Sequence, residues 1–213
     1  MNKAFIFDMD GVLIDSETVW DKQDTGFFGG KINAEIKDKI LGSTVAVIYQ
    51  LARDQGLYML KDEFYRRYNE VAKKVYSEAK LTDGVEKLVS VLCQLGYKIG
   101  LVTSSPRLWV DWVLPRIPNS DQIDYVLSIG DNPELASKPA PDGYLRAIKE
   151  LGSTPKQTIV LEDSNNGIAS AKASGSFVIG MSQHTPDDYQ QKGADVYVQD
   201  LVELENYLKG LPT

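Results

Sequence analysis

Apolar residues recur along this chain in two rhythms. Short unbroken runs bounded by glycine or polar clusters read as buried strands. They are Phe5-Ile6-Phe7 within a strand at about 3–8, then Lys98–Thr103, Ile123–Ser128, Gln157–Leu161, Ser176–Gly180 and a short edge strand Ala194–Val198. Helical spacing fills the intervals: Val85–Leu95, a helix near 106–114 that Pro115 ends, Asp142–Leu151, and Gly167–Ser174. This alternation predicts an α/β fold with a doubly wound, mostly parallel sheet of the Rossmann-like kind. One interval departs from it. From Ser16 to about Ala79 the spacing is helical throughout, with polar stretches such as 32–41 and 61–70 and no convincing strand. That is too much helix for a single crossover, so we expect a helical cap at 16–80 inserted into a catalytic core formed by 1–15 and 81–213.

Composition narrows the picture. At 213 residues with a hydrophobic share of 43%, the chain can bury a substantial core. A formal charge of −7 and a sequence pI of 4.8 argue against nucleic-acid or anionic-membrane partners. They leave room for an anionic substrate, because a divalent cation and one or two lysines make a local positive site inside an acidic surface. The single cysteine, Cys93, lies in an apolar helical run and is expected to be a small core residue in a reducing compartment. With no signal-peptide pattern and no apolar run of about 18 residues, the expectation is a soluble cytoplasmic monomer.

After each main strand the chain places a polar cluster. The first is Asp8-Met9-Asp10-Gly11, two carboxylates delivered to the carboxyl edge of a strand, where open α/β sheets bind ligands. Such a pair repels itself unless a cation or shared proton intervenes. The Asp-x-Asp-Gly spacing also opens calcium loops and ordinary turns, but a strand before Asp8 does not suit an EF-hand. The second cluster, Thr103-Ser104-Ser105-Pro106, offers hydroxyls that either hold a phosphate or cap a helix. The third holds Lys138 in the proline-flanked Ser137-Lys138-Pro139-Ala140-Pro141-Asp142. The fourth, Glu162-Asp163-Ser164-Asn165-Asn166-Gly167, brings two more carboxylates that complete a metal site or cap the next helix. Each cluster alone has a bland reading. Together on one sheet edge they supply what phosphoryl transfer needs: a nucleophile, a metal, donors for three oxygens and an acid–base.

In this order, Phe7–Glu17, Thr103–Ser105, Lys138–Asp142 and Leu161–Ile168 resemble the haloacid dehalogenase superfamily. Within it they resemble the phosphatase and phosphomutase branch, whose helical cap follows the first motif. The likeness spans essentially the whole chain. It implies that Asp8 attacks phosphorus to form an aspartyl phosphate, while Asp10 protonates the leaving oxygen and then activates water. It implies a Mg²⁺ held by Asp8, the carbonyl of Asp10 and Asp163, with Glu162 a direct or water-mediated ligand. Ser104, flanked by Thr103 and Ser105, takes the part of the phosphate-binding hydroxyl, and Lys138 that of the clamp on the phosphoryl oxygens.

The branch is read from departures. The dehalogenases themselves lack a second aspartate like Asp10, and the phosphonate-cleaving relatives need a Schiff-base lysine; Lys31, Lys37, Lys39 and Lys61 all sit in polar, solvated-looking surroundings. The β-phosphoglucomutase relatives carry a histidine where this chain has Trp20, and an arginine that the cap loop Leu41–Ala46 lacks. The expectation is therefore a phosphatase acting on a small phosphorylated metabolite, a sugar or polyol phosphate, similar to the 2-deoxyglucose-6-phosphatase-like proteins. A phosphomutase and a non-catalytic binding module on the same fold are the alternatives. Trp20 is either cap core or a ring that stacks on a sugar face. Glu17 either binds a substrate hydroxyl or begins a helix. His184, the only histidine, is expected in solvent. The run Leu108–Val113 is expected to be a core helix near the cap, and Arg66, Arg67, Lys73 and Lys74 a wetted helix face.

Overall fold

The computed structural model describes residues 2–23, 34–186 and 188–210; Lys31, one of the lysines weighed above, lies outside them. Six strands form one sheet in the order β3-β2-β1-β4-β5-β6: β1 Lys3–Phe7, β2 Tyr97–Thr103, β3 Tyr125–Ser128, β4 Thr158–Glu162, β5 Phe177–Met181 and β6 Val196–Val198. Every pairing between them is parallel. β1 is central, and its alternate side chains serve two cores. Phe5 and Phe7 pack with Ile99, Leu101, Ile159 and Leu161 on one face, while Ala4 and Ile6 pack with Val102, Val160 and Val178 on the other. Burial on both faces is why these strands read as continuous apolar runs rather than as alternation.

Helices α1 Glu17–Gln23, α2 Ala34–Ile40, α3 Val45–Asp54 and α4 Lys61–Glu78 follow β1, and among the described residues between 16 and 80 there is no strand. The two crossings between this helical insert and the sheet run side by side. Ile14 bridges Leu81 in antiparallel fashion, Asp15 N donates to Lys80 O at 2.8 Å, and Thr82 N to Leu13 O at 3.0 Å. The remaining helices are α5 Val85–Gln94, α6 Arg107–Val113, α7 Asp142–Glu150, α8 Asn165–Ala173 and α9 Leu201–Lys209.

Three elements differ from the sequence expectation. β3 begins at Tyr125, because Asp124 leaves the strand and its carboxylate accepts from Ile99 N (2.8 Å). α8 begins two residues before Gly167, because Ser164 caps it by accepting from Gly167 N. α9 was not anticipated. Its signal is a reciprocal cap, with Asp200 Oδ1 accepting from Glu203 N (2.8 Å) and Glu203 Oε2 from Gln199 N (2.7 Å). Cys93 is another correction. It lies on the outer face of α5, exposed, with Sγ donating to Gln122 Oε1, while Val89 and Leu92 take the buried face. Among the described residues no helix is long and apolar enough to cross a membrane.

Candidate active site

Asp8 directly follows β1, and its amide donates to Leu161 O at 3.0 Å, which fixes it at the strand edge beside β4. Lys138 reaches it from the loop before α7. Fully buried, the Lys138 ammonium donates to Asp8 Oδ1 at 2.6 Å and to Glu162 Oε1 at 2.5 Å. Tyr144 on α7 donates its hydroxyl to the same Glu162 oxygen at 2.5 Å. The other oxygen, Glu162 Oε2, accepts from Asp163 N, Ser164 N and Ser164 Oγ at 3.2–3.4 Å. Both oxygens of Glu162 are thus engaged by the protein, and the residue acts as a floor under Lys138. Gly167 makes room for it, since a Cβ there would lie 1.9 Å from Glu162 Oε1.

Asp8, Glu162 and Asp163 bring carboxylate oxygens within 4.8 Å of one another, all buried. Burial, reinforced by Glu162 and Asp10 against the attraction of Lys138, pushes the Asp8 carboxyl up to about 8. Burial together with Glu162 and Asp8 also lifts Asp163 well above the usual carboxylate range. Burial works against the charge on Lys138, but Asp8 and Glu162 overcome it and hold the ammonium above its ordinary value. One ammonium cannot balance three buried carboxylates, so without a cation Asp8 and Asp163 are driven to hold protons; a divalent cation would take the place of those protons. The backbone agrees. Gly11 has φ +71°, and a Cβ on it would stand 2.0 Å from Asp163 Oδ2, so the turn after Asp8 is shaped around that carboxylate. The residues present fit a metal.

Asp10 faces the other way. Its Oδ1 accepts from Ser16 Oγ and Tyr76 OH, and its Oδ2 from Ser105 Oγ, each at 2.7 Å. Burial and the neighbouring Asp10 push the Tyr76 phenol well above its ordinary value, which keeps it a donor. Of the second cluster, Thr103 Oγ1 accepts from Ser105 N (3.0 Å) and shapes the loop. Ser104 Oγ donates to Gly42 O on the cap loop at 2.6 Å.

Asp8, Asp10, Glu17, Trp20, Thr103, Ser104, Ser105 and Asp163 line a single pocket that is partly open to solvent, and Lys138 and Glu162 join it through their contacts to Asp8 and to each other. The sequence-predicted residues therefore converge. Trp20 is half-buried, stacks on Tyr68 (5.0 Å between centroids, 17° between planes) and tilts against Trp109 (5.7 Å). It belongs to the cap core and to the pocket wall at once. Trp109 and Trp112 pack against Tyr76 at 5.6 and 6.2 Å, so α6 is the helix on which the cap rests.

Sequence reasoning missed several participants: Ser16 and Tyr76 on Asp10, Tyr144 under Glu162, and the Lys37–Asp21 pair at the pocket wall (2.6 Å). The signal for Tyr76 was available only in part, as an aromatic residue near the end of a cap helix just before the chain re-enters the core. His184 corrects the expectation of a solvated ring. Its Nε2 lies 3.0 Å from Thr82 Oγ1 and its Nδ1 3.6 Å from Asp15 Oδ1, across both cap crossings. The basic runs are a wetted face as expected, with Arg66–Glu70 and Arg67–Glu63 paired one turn apart in solvent.

Comparison with known proteins agrees with this geometry. Hexitol phosphatase B of Escherichia coli (strain K12) is 30% identical over 94% of this chain and 93% of its own length. Validoxylamine A 7'-phosphate phosphatase of Streptomyces hygroscopicus subsp. limoneus is 27% identical over 96% of each. In fold, the chain superposes on a hydrolase from Pseudomonas syringae with a TM-score of 0.81 at 19% identity, covering 99% of this chain and 100% of that one. CbbY from Rhodobacter sphaeroides in complex with phosphate gives 0.76 at 22% identity over 96% of both. The haloacid dehalogenase-like hydrolase family matches residues 2–175. With the four clusters gathered at one sheet edge beneath a helical cap, the chain is an enzyme of the haloacid dehalogenase-like hydrolase family.

Proposed function

We propose that this protein is a Mg²⁺-dependent phosphatase that hydrolyses a small phosphomonoester, a sugar or polyol phosphate, through an aspartyl phosphate on Asp8. The observation that carries the reading is the split between the two aspartates. Asp8 is clamped by Lys138 within the acidic cluster, while the Asp10 carboxylate is held apart by three hydroxyls.

Asp8, Asp163 and the carbonyl of Asp10 would hold Mg²⁺, with Glu162 reaching it only through water because its oxygens already serve Lys138, Tyr144 and the 163–164 backbone. Bound there, the cation would neutralise the approach of an anionic phosphate to an anionic nucleophile. The protein's own groups do the rest. Asp8 attacks phosphorus as the ester P–O bond breaks, and its electron pair leaves on the alcohol oxygen, which takes a proton from Asp10. Lys138 and the Ser104–Ser105 loop stabilise charge on the phosphoryl oxygens. Water then attacks phosphorus, gives its proton to Asp10 and frees Asp8 with inorganic phosphate.

The cap formed by 16–80 would close over the core of 1–15 and 81–213 and exclude bulk water. Two of the relatives are named a hexitol phosphatase and a validoxylamine A 7'-phosphate phosphatase, and the pocket wall suits a sugar or polyol phosphate. Trp20, backed by Tyr68 and Trp109, puts aromatic surface on the wall, with Glu17, Asp21 and Lys37 as polar partners around it. Lys37 is the one basic residue that reaches this wall among the described cap residues, and it is already paired with Asp21, which disfavours gripping a second phosphate as a mutase must. We expect a soluble monomer with no nucleic-acid or membrane partner.

A kinetic screen of the purified protein against sugar and polyol phosphates with Mg²⁺ tests the reading, alongside Asp8→Asn and excess EDTA. Turnover of small sugar phosphates that vanishes in Asp8→Asn and in EDTA is expected. Full activity in either would overturn the mechanism, and efficient isomerisation of a hexose 1-phosphate given a bisphosphate activator would replace phosphatase by mutase.

A further inference from the structure

We propose that Tyr76, carried on cap helix α4, is a positioning residue that fixes the carboxylate of Asp10 so that Oδ2 is its proton-transferring oxygen. The inference rests on the phosphatase reading above and concerns the same site.

The argument is one of lone pairs. A carboxylate oxygen has two, and Asp10 Oδ1 has both filled, by Ser16 Oγ and Tyr76 OH at 2.7 Å each. Among the described residues Oδ2 accepts only from Ser105 Oγ, so its remaining position is the one left for a proton. Ser16 and Ser105 are short side chains on the core and its first crossing. Tyr76 is the long arm, and it is rigidly seated. Its ring packs against Trp109 and Trp112, and Arg116 of the core donates to the carbonyls of Tyr76 and Ala79 at 2.6 Å. That clamp ties the end of α4 to the core beside the cap crossing, so the phenol stays on Asp10 wherever the far end of the cap swings. Without the phenol, Oδ1 keeps one donor against one on Oδ2, and the carboxyl can rotate and present either oxygen. During transfer the proton on Oδ2 passes to the alcohol oxygen as the ester P–O bond breaks and the Asp8–phosphorus bond forms. Oδ1, as the carbonyl oxygen of the protonated acid, keeps its two donors throughout.

The test is Tyr76→Phe, which keeps the ring and deletes one hydroxyl, assayed with Mg²⁺ on aryl phosphates of graded leaving-group pKa and on glycerol phosphate. Poor leaving groups need the proton and good ones do not. The variant is expected to lose roughly 10-fold in kcat/KM on the alkyl ester, about the worth of one charge-assisted hydrogen bond. On p-nitrophenyl phosphate the loss should be under about 3-fold, so the leaving-group dependence steepens. Ser16→Ala, which removes the other donor to Oδ1, should steepen it too. Equal losses across the series, or a lowered melting temperature with an unchanged leaving-group slope, would reduce Tyr76 to a packing residue and overturn the proposal. An inactive wild type would instead refute the phosphatase reading, so the two failures are told apart.

Discussion

Asp8 and Lys138 are separated by 130 positions and meet at 2.6 Å, and the sequence marks both as candidates, Asp8 in a polar cluster directly after a strand and Lys138 in a proline-flanked loop. Chemistry carried by the backbone turn is equally local. Gly11 adopts φ +71°, and a Cβ there would collide with Asp163 Oδ2. Gly11→Ala is therefore expected to displace that carboxylate and to cost about 1–2 kcal/mol of stability from the left-handed conformation. Titrating activity with Mg²⁺ should show the half-saturating concentration rising at least about 10-fold, since a shifted ligand weakens the site. An unchanged Mg²⁺ titration would mean that Asp163 is not part of the metal site. Tyr144 and Ser16 escaped the sequence because nothing local marks them, and Tyr76 because its place near the end of a cap helix does not say what its hydroxyl meets. A tyrosine one turn from a helix end looks the same whether its hydroxyl meets solvent or, as here, a carboxylate contributed from position 10.

The strands and most helices follow from periodicity, because burial on both sheet faces leaves unbroken apolar runs and the amphipathic helices leave stripes. What periodicity could not reach were contacts between elements. α9 was in fact legible, both in the cap from Asp200 to Glu203 and in the helical spacing of the buried Leu201, Leu204 and Leu208. His184 looked like a solvated loop residue because one crossing it touches lies 102 positions upstream and the other, at Asp15, farther still. Its burial lowers the imidazole below its ordinary value of 6.5, while Asp15 and Asp83 pull the other way. The sign follows directly. Neutral His184 supports folding fully above 6.5, and that support is lost as pH falls through the lower folded value, because the unfolded chain binds the proton first. Thermal melts should therefore drop between about pH 7 and pH 5, and His184→Gln should flatten that drop. A wild-type melt insensitive to pH in that window would count against a neutral ring bridging the crossings.

Seen as a whole molecule, the cap loop 41–44 is fastened to the core beside the pocket by directional contacts of its own. Asn166 Nδ2 donates to Leu41 O at 2.8 Å, Ser104 Oγ to Gly42 O at 2.6 Å, and Thr44 and Ser137 share a hydroxyl contact at 3.2 Å. Asn166 is the one to remove, since Ser104 belongs to the site. Asn166→Ala should destabilise the closed arrangement and raise KM for a small phosphate ester about 3- to 10-fold with kcat little changed, because saturating substrate restores closure. A KM equal to wild type would mean that closure does not depend on this bond. The paired crossings have a different consequence. Because Ile14 and Leu81 lie against each other, the chain leaves and re-enters the sheet at the same doorstep. β1 and β2 remain adjacent and parallel as though the helices between them had never been threaded in. Residues may be gained, lost or exchanged beyond that doorstep without disturbing strand register or the spacing of Asp8 from Lys138. What the enzyme recognises can thus drift from one descendant to another while the bond it breaks stays the same.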